Sequence, residues 1–180
     1  MLDNGNFSWD GAAVDFVTTF GLPGDTPITG DWDGSGFTKI GVFRNGEWFL
    51  DTDGNGVYDP GIDLVGSFGA PTDVIVFGDW NGSGTTKVGV YRNGAWVLDM
   101  NGNANWDPGV DLVGSFGGGP TDRPVVGDWD GSGKTRIGIY RDGVWIIDLT
   151  NTALYKPATV KIGSFGFSTD VPLVGKWAKP

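Results

Sequence analysis

The chain contains no cysteine and no histidine, and glutamate occurs once, at Glu47, among 22 acidic residues. Without cysteine there is no disulfide framework and no thiolate nucleophile, and without histidine the common imidazole bases and metal ligands are missing. The eight serines have no histidine to activate them and mostly occupy repeated Gly-Ser-Gly or Gly-Ser-Phe-Gly positions, so no catalytic constellation is expected. No apolar run approaches the ~20 residues of a membrane helix, and no stretch shows a helical period. Basic residues number only 12, leaving a net charge of −10, which excludes the clustered cations that nucleic-acid phosphates require. Met1 is followed at once by Leu2-Asp3-Asn4-Gly5-Asn6, which reads as the tail of a repeat. The reading therefore expects no leader ahead of the repeats and a cut from something longer.

What is present is glycine (33 residues), aspartate and aromatics, including nine Trp and eleven Phe. Asp, Asn and Gly serve turns, and the aromatics supply area for a core. They are ordered by a repeated phrase: Gly30-Asp31-Trp32-Asp33-Gly34-Ser35-Gly36, Gly78-Asp79-Trp80-Asn81-Gly82-Ser83-Gly84, Gly127-Asp128-Trp129-Asp130-Gly131-Ser132-Gly133, and a final Gly175-Lys176-Trp177. The tryptophans recur with periods of 48, 49 and 48 residues, which indicates a stacked or radial repeat.

Each period holds four strand signals. Segment a covers residues 14–21, 62–69, 110–117 and 160–166; segment b covers 27–32, 74–80, 124–129 and 171–177. Segment c covers 38–44, 86–92 and 135–141, and segment d covers 47–51, 95–99 and 144–148. Asn45-Gly46, Asn93-Gly94 and Asp142-Gly143 join c to d and predict two-residue hairpin turns. Only the a–b link is built as a jump. Four antiparallel strands followed by a jump describe a propeller blade with b innermost, so the fold expected is an all-β, β-propeller-type array of about 3.5 repeats. Its parts are a partial repeat over 1–25, blades over 26–69, 74–117 and 123–166, and a partial blade over 171–180.

Phe68-Gly69 or Phe116-Gly117, followed by Gly78-Asp79-Trp80-Asn81-Gly82-Ser83-Gly84 and a strand such as Val88-Gly89-Val90-Tyr91, resembles the bacterial FG-GAP/VCBS-type repeats. That group includes the integrin α-subunit propeller. The resemblance covers essentially the whole chain and implies an extracellular or cell-surface β-propeller, often calcium-bearing, used for adhesion or ligand display.

Two loops per repeat could hold calcium. In the b–c loop the family pattern has Asp at positions 1, 3, 5 and 9. Here positions 1 and 3 are Asp31/Asp33, Asp79/Asn81 and Asp128/Asp130, but position 9 is Lys39, Lys87 or Arg136. A cation aimed at the metal position repels calcium and pairs with the carboxylates instead. The d–a loops differ. Asp51, Asp53, Asn55 and Asp59, with the Val57 carbonyl, have the alternate spacing of a calcium loop, and so do Asp99, Asn101, Asn103, Asn105 and Asp107. The last copy decays, keeping Asp148 but placing Lys156 at position 9, and the first is truncated around Asp3, Asn4, Asn6 and Asp10. A second reading stays open: Asp-Gly and Asn-Gly turn a chain without any ion.

Arg44, Arg92 and Arg141 recur before the hairpin turn, where a fork to a neighbouring Asp is the expected use. The seven tryptophans at positions 32, 48, 80, 96, 129, 145 and 177 recur and are expected in the core. The less regular Trp9, Tyr58, Trp106 and Tyr155 sit in the d–a loops and are the ligand-binding candidates. Two sequons, at Asn6 and Asn81, are short enough to arise by chance.

Two functions follow as expectations. One is a non-catalytic extracellular module binding a protein or glycan. The other is a structural subunit of a surface assembly, joined to copies of itself or to a parent chain through its incomplete terminal blade.

Overall fold

The computed structural model describes residues 6–11, 13–150 and 152–175, and all of its regular structure is β. Sheet I comprises β1 (Thr26–Gly30), β2 (Lys39–Arg44), β3 (Glu47–Leu50) and β4 (Leu64–Ser67). Sheet II comprises β5 (Val74–Gly78), β6 (Lys87–Arg92), β7 (Ala95–Leu98) and β8 (Leu112–Ser115). Sheet III comprises β9 (Arg123–Gly127), β10 (Arg136–Arg141), β11 (Val144–Asp148) and β12 (Val160–Ser164). Each is a four-stranded antiparallel meander in chain order, and none closes on itself. The strands follow segments b, c, d and a, shorter at most ends, with β1 and β9 starting one residue earlier than expected.

The hairpin turns have the conformation their sequences favour. Asn45 and Gly46 lie at φ 53° and 95°, and the Asn93-Gly94 and Asp142-Gly143 pairs match them. Positive φ at both central residues suits the right-handed twist of the flanking strands. The outlying segments differ from expectation. Residues 14–21 form no strand beyond a single bridge at Phe16, and residues 171–175 form none; Lys176 and Trp177 lie outside the described residues. A strand needs a continuous ladder to satisfy its backbone groups. Residues 14–21 lie against the following loop, where Thr18 Oγ1 donates to the Gly56 carbonyl, and 171–175 lie against Gly127, but neither segment forms such a ladder.

Packing lies mainly between sheets. Ile28, Trp32, Phe43, Trp48, Leu50 and Phe68 of the first repeat cluster with Val88, Val90 and Ala104 of the second. Val76, Trp80, Tyr91, Trp96, Leu98 and Phe116 do the same with Ile137, Ile139 and Ala153 of the third. The buried indoles are satisfied: Trp48 and Trp96 Nε1 donate to the carbonyls of Phe68 and Phe116, both at 2.8 Å. Trp32, Trp48, Trp80 and Trp96 are buried, whereas Trp129 and Trp145 of sheet III are only partly covered.

Two details recur at both junctions. Thr86 donates its N–H to the Asp31 carbonyl at 2.7 Å and its Oγ1 accepts the Asp31 N–H at 3.0 Å; Thr135 clasps Asp79 in the same way, at 2.8 and 3.0 Å. Gly66 in β4 and Gly114 in β8 lie directly beneath Ala104 and Ala153 of the following repeat. A Cβ on Gly66 would stand 2.6 Å from the Ala104 carbonyl carbon, and one on Gly114 would stand 2.6 Å from the Ala153 carbonyl oxygen.

Candidate functional site

In the b–c loops the first aspartate turns the chain. Asp31 accepts the N–H groups of Ser35 and Gly36, Asp79 those of Gly82, Ser83 and Gly84, and Asp128 those of Ser132 and Gly133. The cation at position 9 then enters the loop. Lys39 Nζ pairs with Asp33 and reaches Ser35 Oγ at 2.7 Å, with Asp31 4.0 Å away. Lys87 Nζ is almost enclosed, touching Asn81 Oδ1 at 3.0 Å, Ser83 Oγ at 2.5 Å, Thr85 Oγ1 at 2.6 Å and Asp79 Oδ1 at 3.5 Å. Arg136 Nη2 meets Asp130 at 2.7 Å while its Nη1 donates to the Leu149 carbonyl at 2.5 Å.

These contacts govern titration. The Lys39 ammonium and the Ser35 hydroxyl hold the Asp33 carboxyl well below the usual range. Ser132 and Arg136 lower Asp130 to about 2. For Asp79, burial pushes upward, but the backbone N–H donors and Lys87 outweigh it and the net shift is downward. Nitrogen cations fill the position a metal would need, so this donor set does not fit calcium.

The d–a loop of the first sheet is built differently. Asp51 is buried and accepts the N–H groups of Gly54 and Gly56, both at 2.8 Å. Asp53 accepts the Asn55 N–H at 3.1 Å. The Asn55 amide bridges Asp53 at 2.9 Å and Asp59 at 2.6 Å, and its Oδ1 accepts the Val57 N–H at 2.6 Å. Asp63, which the sequence reading missed, closes the loop from its far side by accepting the N–H groups of Thr52 and Asp59, at 3.1 and 2.8 Å. Oxygens of Asp51, Asp53 and Asp63 lie within 4.8 Å of one another. Burial, with the Asp63 charge adding to it, pushes the Asp51 carboxyl upward despite its backbone donors. A donor set of carboxylate oxygens around one point matches a hard cation such as calcium, so the residues present fit the group. Asp59 is held by Asn55 and stands outside this trio, and Val57 is exposed.

The second loop keeps the shape with fewer charges. Asp99 accepts Gly102 and Ala104, Asp111 accepts Met100 and Asp107, and the amides of Asn101 and Asn103 both donate to Asp107 at 2.7 Å. Burial again raises Asp99. Asn105 does not join the loop interior: its Oδ1 accepts the Ser67 N–H across the junction at 3.2 Å. In the third loop Asp148 is capped by Thr150, Thr152 and Ala153, and Lys156 is exposed. Asp3 and Asn4 lie outside the described residues. Asp15, Asp63 and Asp111 recur at intervals of 48 residues, a period that could have revealed the closing acid.

The recurrent arginines fork onto acids at the head of their own sheets. Arg44 grips Asp25 with both contacts at 2.6 Å, Arg92 grips Asp73, and Arg141 grips Asp122 at 2.6 and 2.9 Å. Arg92 and Arg44 border clefts. One of about 510 Å³ is lined by Ser67, Phe68, Asp73, Arg92, Val97 and Trp106, among others. Another of about 230 Å³ is lined by Phe20, Leu22, Val42, Arg44, Phe49 and Tyr58, among others. Trp106 is braced by Phe68 (ring centroids 6.5 Å apart) and Tyr58 by Phe49 (5.9 Å), and each keeps nearly half of its surface open. Tyr155 packs similarly on Phe116, 6.2 Å away, whereas exposed Trp9 lines neither cleft.

No protein-family model, curated protein or solved structure matches this chain. The site therefore has to be read from its own chemistry.

Proposed function

We propose that the chain is a non-catalytic binding module of the β-propeller type, displayed outside the cell, that takes a glycan in the clefts between successive repeats. The carrying observation is the pairing, in one cleft, of the half-open Trp106 ring with an Arg92 guanidinium fixed by the Asp73 carboxylate. The apolar face of a sugar stacks on an indole, and a guanidinium held in a fixed plane donates to hydroxyls or a carboxylate at little entropic cost. Tyr58 and Arg44 repeat the arrangement in the smaller cleft. The test is a glycan array followed by titration calorimetry on the best binder. Saturable binding lost in Trp106→Ala and weakened in Arg92→Lys supports the reading. Binding indifferent to Trp106→Ala overturns it.

Calcium enters this reading as a stabiliser of the Asp51 loop, held by Asp51, Asp53 and Asp63. Bound ion favours the folded state by mass action, about 1.4 kcal/mol at ten times the dissociation constant. Millimolar calcium should raise the melting temperature of the wild type and not that of Asp53→Asn. No rise in the wild type would make the loop a turn only.

The exposed apolar side chains at the sheet III end, Phe165, Phe167 and Leu173, favour a second reading, a subunit of an assembly.

A further inference from the structure

Sheets I and II each cover the same feature of their fourth strand with the following repeat. Gly66 lies under Ala104 and Gly114 under Ala153, and both alanines adopt the left-handed region, at φ 55° and 51°. The phenylalanine two residues on is sealed by the same contact: Phe68 and Phe116 are each 1% exposed. In sheet III the equivalent Gly163 has nothing within 4 Å of a Cβ position, and Phe165 is 81% exposed.

A second feature points to the same face. Asp25, Asp73 and Asp122 each cap a turn before the first strand of a sheet and take the fork of an arginine 19 residues on. Asp170 makes the same turn: its Oδ2 accepts the Phe167 N–H at 2.9 Å, and its own N–H donates to the Phe167 carbonyl at 3.0 Å. Arg123 Nη1 donates to the Asp170 backbone carbonyl at 2.7 Å, yet among the described residues no cation pairs with its carboxylate. The chain beyond it lies against sheet III, with Val174 Cγ1 2.7 Å from a Cβ position on Gly127, where Gly30 and Gly78 meet Thr86 and Thr135 instead.

We propose that the face formed by Gly163, Phe165 and Asp170 is a docking seat for a β-hairpin and loop of this same repeat chemistry. The occupant brings an arginine at the end of its first strand to fork Asp170, and a left-handed alanine to fill the space over Gly163. The two internal junctions state what covers such a surface, and the Asp170 carboxylate, which no described cation pairs, states the charge the cover carries. Sheet I of a second copy does not qualify. Its position matching Ala104 is Gly56, already covered by Phe16 and Thr18, and its Arg44 is already held by Asp25. Thr18 stands where the other repeats have Gly66 and Gly114, so the bulk at that junction is reversed: a side chain on the first partner meets glycine on the second. Gly163 calls for the opposite arrangement.

The test extends the full chain after Trp177 with a second copy of residues 81–117, which places an arginine and an alanine at the required spacings. The expected result is one cooperative transition, a melting temperature higher by about 4 °C or more, and hydrogen exchange across residues 160–166 slowed about 100-fold. Gly163→Ala should leave the unextended chain within about 1 °C of wild type and abolish the gain in the extended one. Unchanged exchange, or a gain that survives Gly163→Ala, overturns the proposal. If the extended chain is insoluble, a synthetic peptide of residues 81–117 is titrated against the intact chain; saturable binding lost in Gly163→Ala supports the seat, and no binding overturns it. Dimers or polymers of the unextended chain that Phe165→Ser disperses would make a second copy the occupant and also overturn it.

Discussion

Arg44, Arg92 and Arg141 do more than decorate a strand end: each holds a carboxylate that would otherwise stand unpaired beside the protein interior. The Arg44 guanidinium, against an opposing push from burial, lowers Asp25 from 3.8 to about 2. A lowered carboxylate contributes stability that is present above its unfolded value and lost as pH falls through the folded one. The stability difference between wild type and Arg44→Met should therefore hold steady above pH 4 and close between pH 4 and 2; urea titrations at several pH values measure it. A difference that stays constant down to pH 2 would deny the fork its electrostatic role. Asp51 and Asp99 carry the opposite sign. Burial raises both, so their share favours folding in acid and fades as pH rises through their folded values. Glycine matters at two positions for a steric reason. Gly66→Ala or Gly114→Ala pushes a methyl group into backbone that cannot swing aside, and each should cost about 2–3 kcal/mol in chemical denaturation.

At the scale of elements, the hairpins were the most legible part of the chain. Asn-Gly or Asp-Gly between two apolar runs favours a two-residue hairpin turn, and such pairs fixed β2 to β3, β6 to β7 and β10 to β11. At the ends of the array, residues 14–21 and 171–175 form no strand because a strand-like composition says nothing about whether a neighbouring strand offers a continuous ladder. In the d–a loops the turning acid was readable at Asp51, but its closing partner Asp63 lies 12 residues on, past a proline and a short apolar stretch. The contact of Gly66 with Ala104 joins two repeats and leaves no local trace in either. The b–c loops yield a test of the lysine's place. Lys87→Asp replaces an enclosed ammonium with a second carboxylate beside Asp79, so the protein should lose stability in chelator and regain it in millimolar calcium. Lys87→Met should be destabilised equally in both, by about 1–3 kcal/mol. If calcium rescues neither variant, the loop geometry cannot accept an ion at all.

Across the whole molecule protection falls from one end to the other. Sheets I and II have both a core of their own and a following repeat packed on it, while sheet III keeps only Val125, Tyr140 and Ile147 in its small buried cluster. Arrays of this kind open from the least-covered unit. Amides of β12 should exchange faster than those of β4 and β8, which native-state hydrogen exchange reads directly. For the same reason Trp96→Ala, at a fully enclosed site, should cost about 3–5 kcal/mol, and Trp145→Ala, in the half-covered equivalent, clearly less.

The threonine clasp joins sheet I to sheet II and sheet II to sheet III with the same atoms, Thr86 on Asp31 and Thr135 on Asp79. Because the fastening is standard, the units are interchangeable in kind. A gene for such a chain can lose or duplicate one whole period by unequal crossing-over and still encode faces that mate, so the length of the array is free to drift faster than the sequence of any single unit.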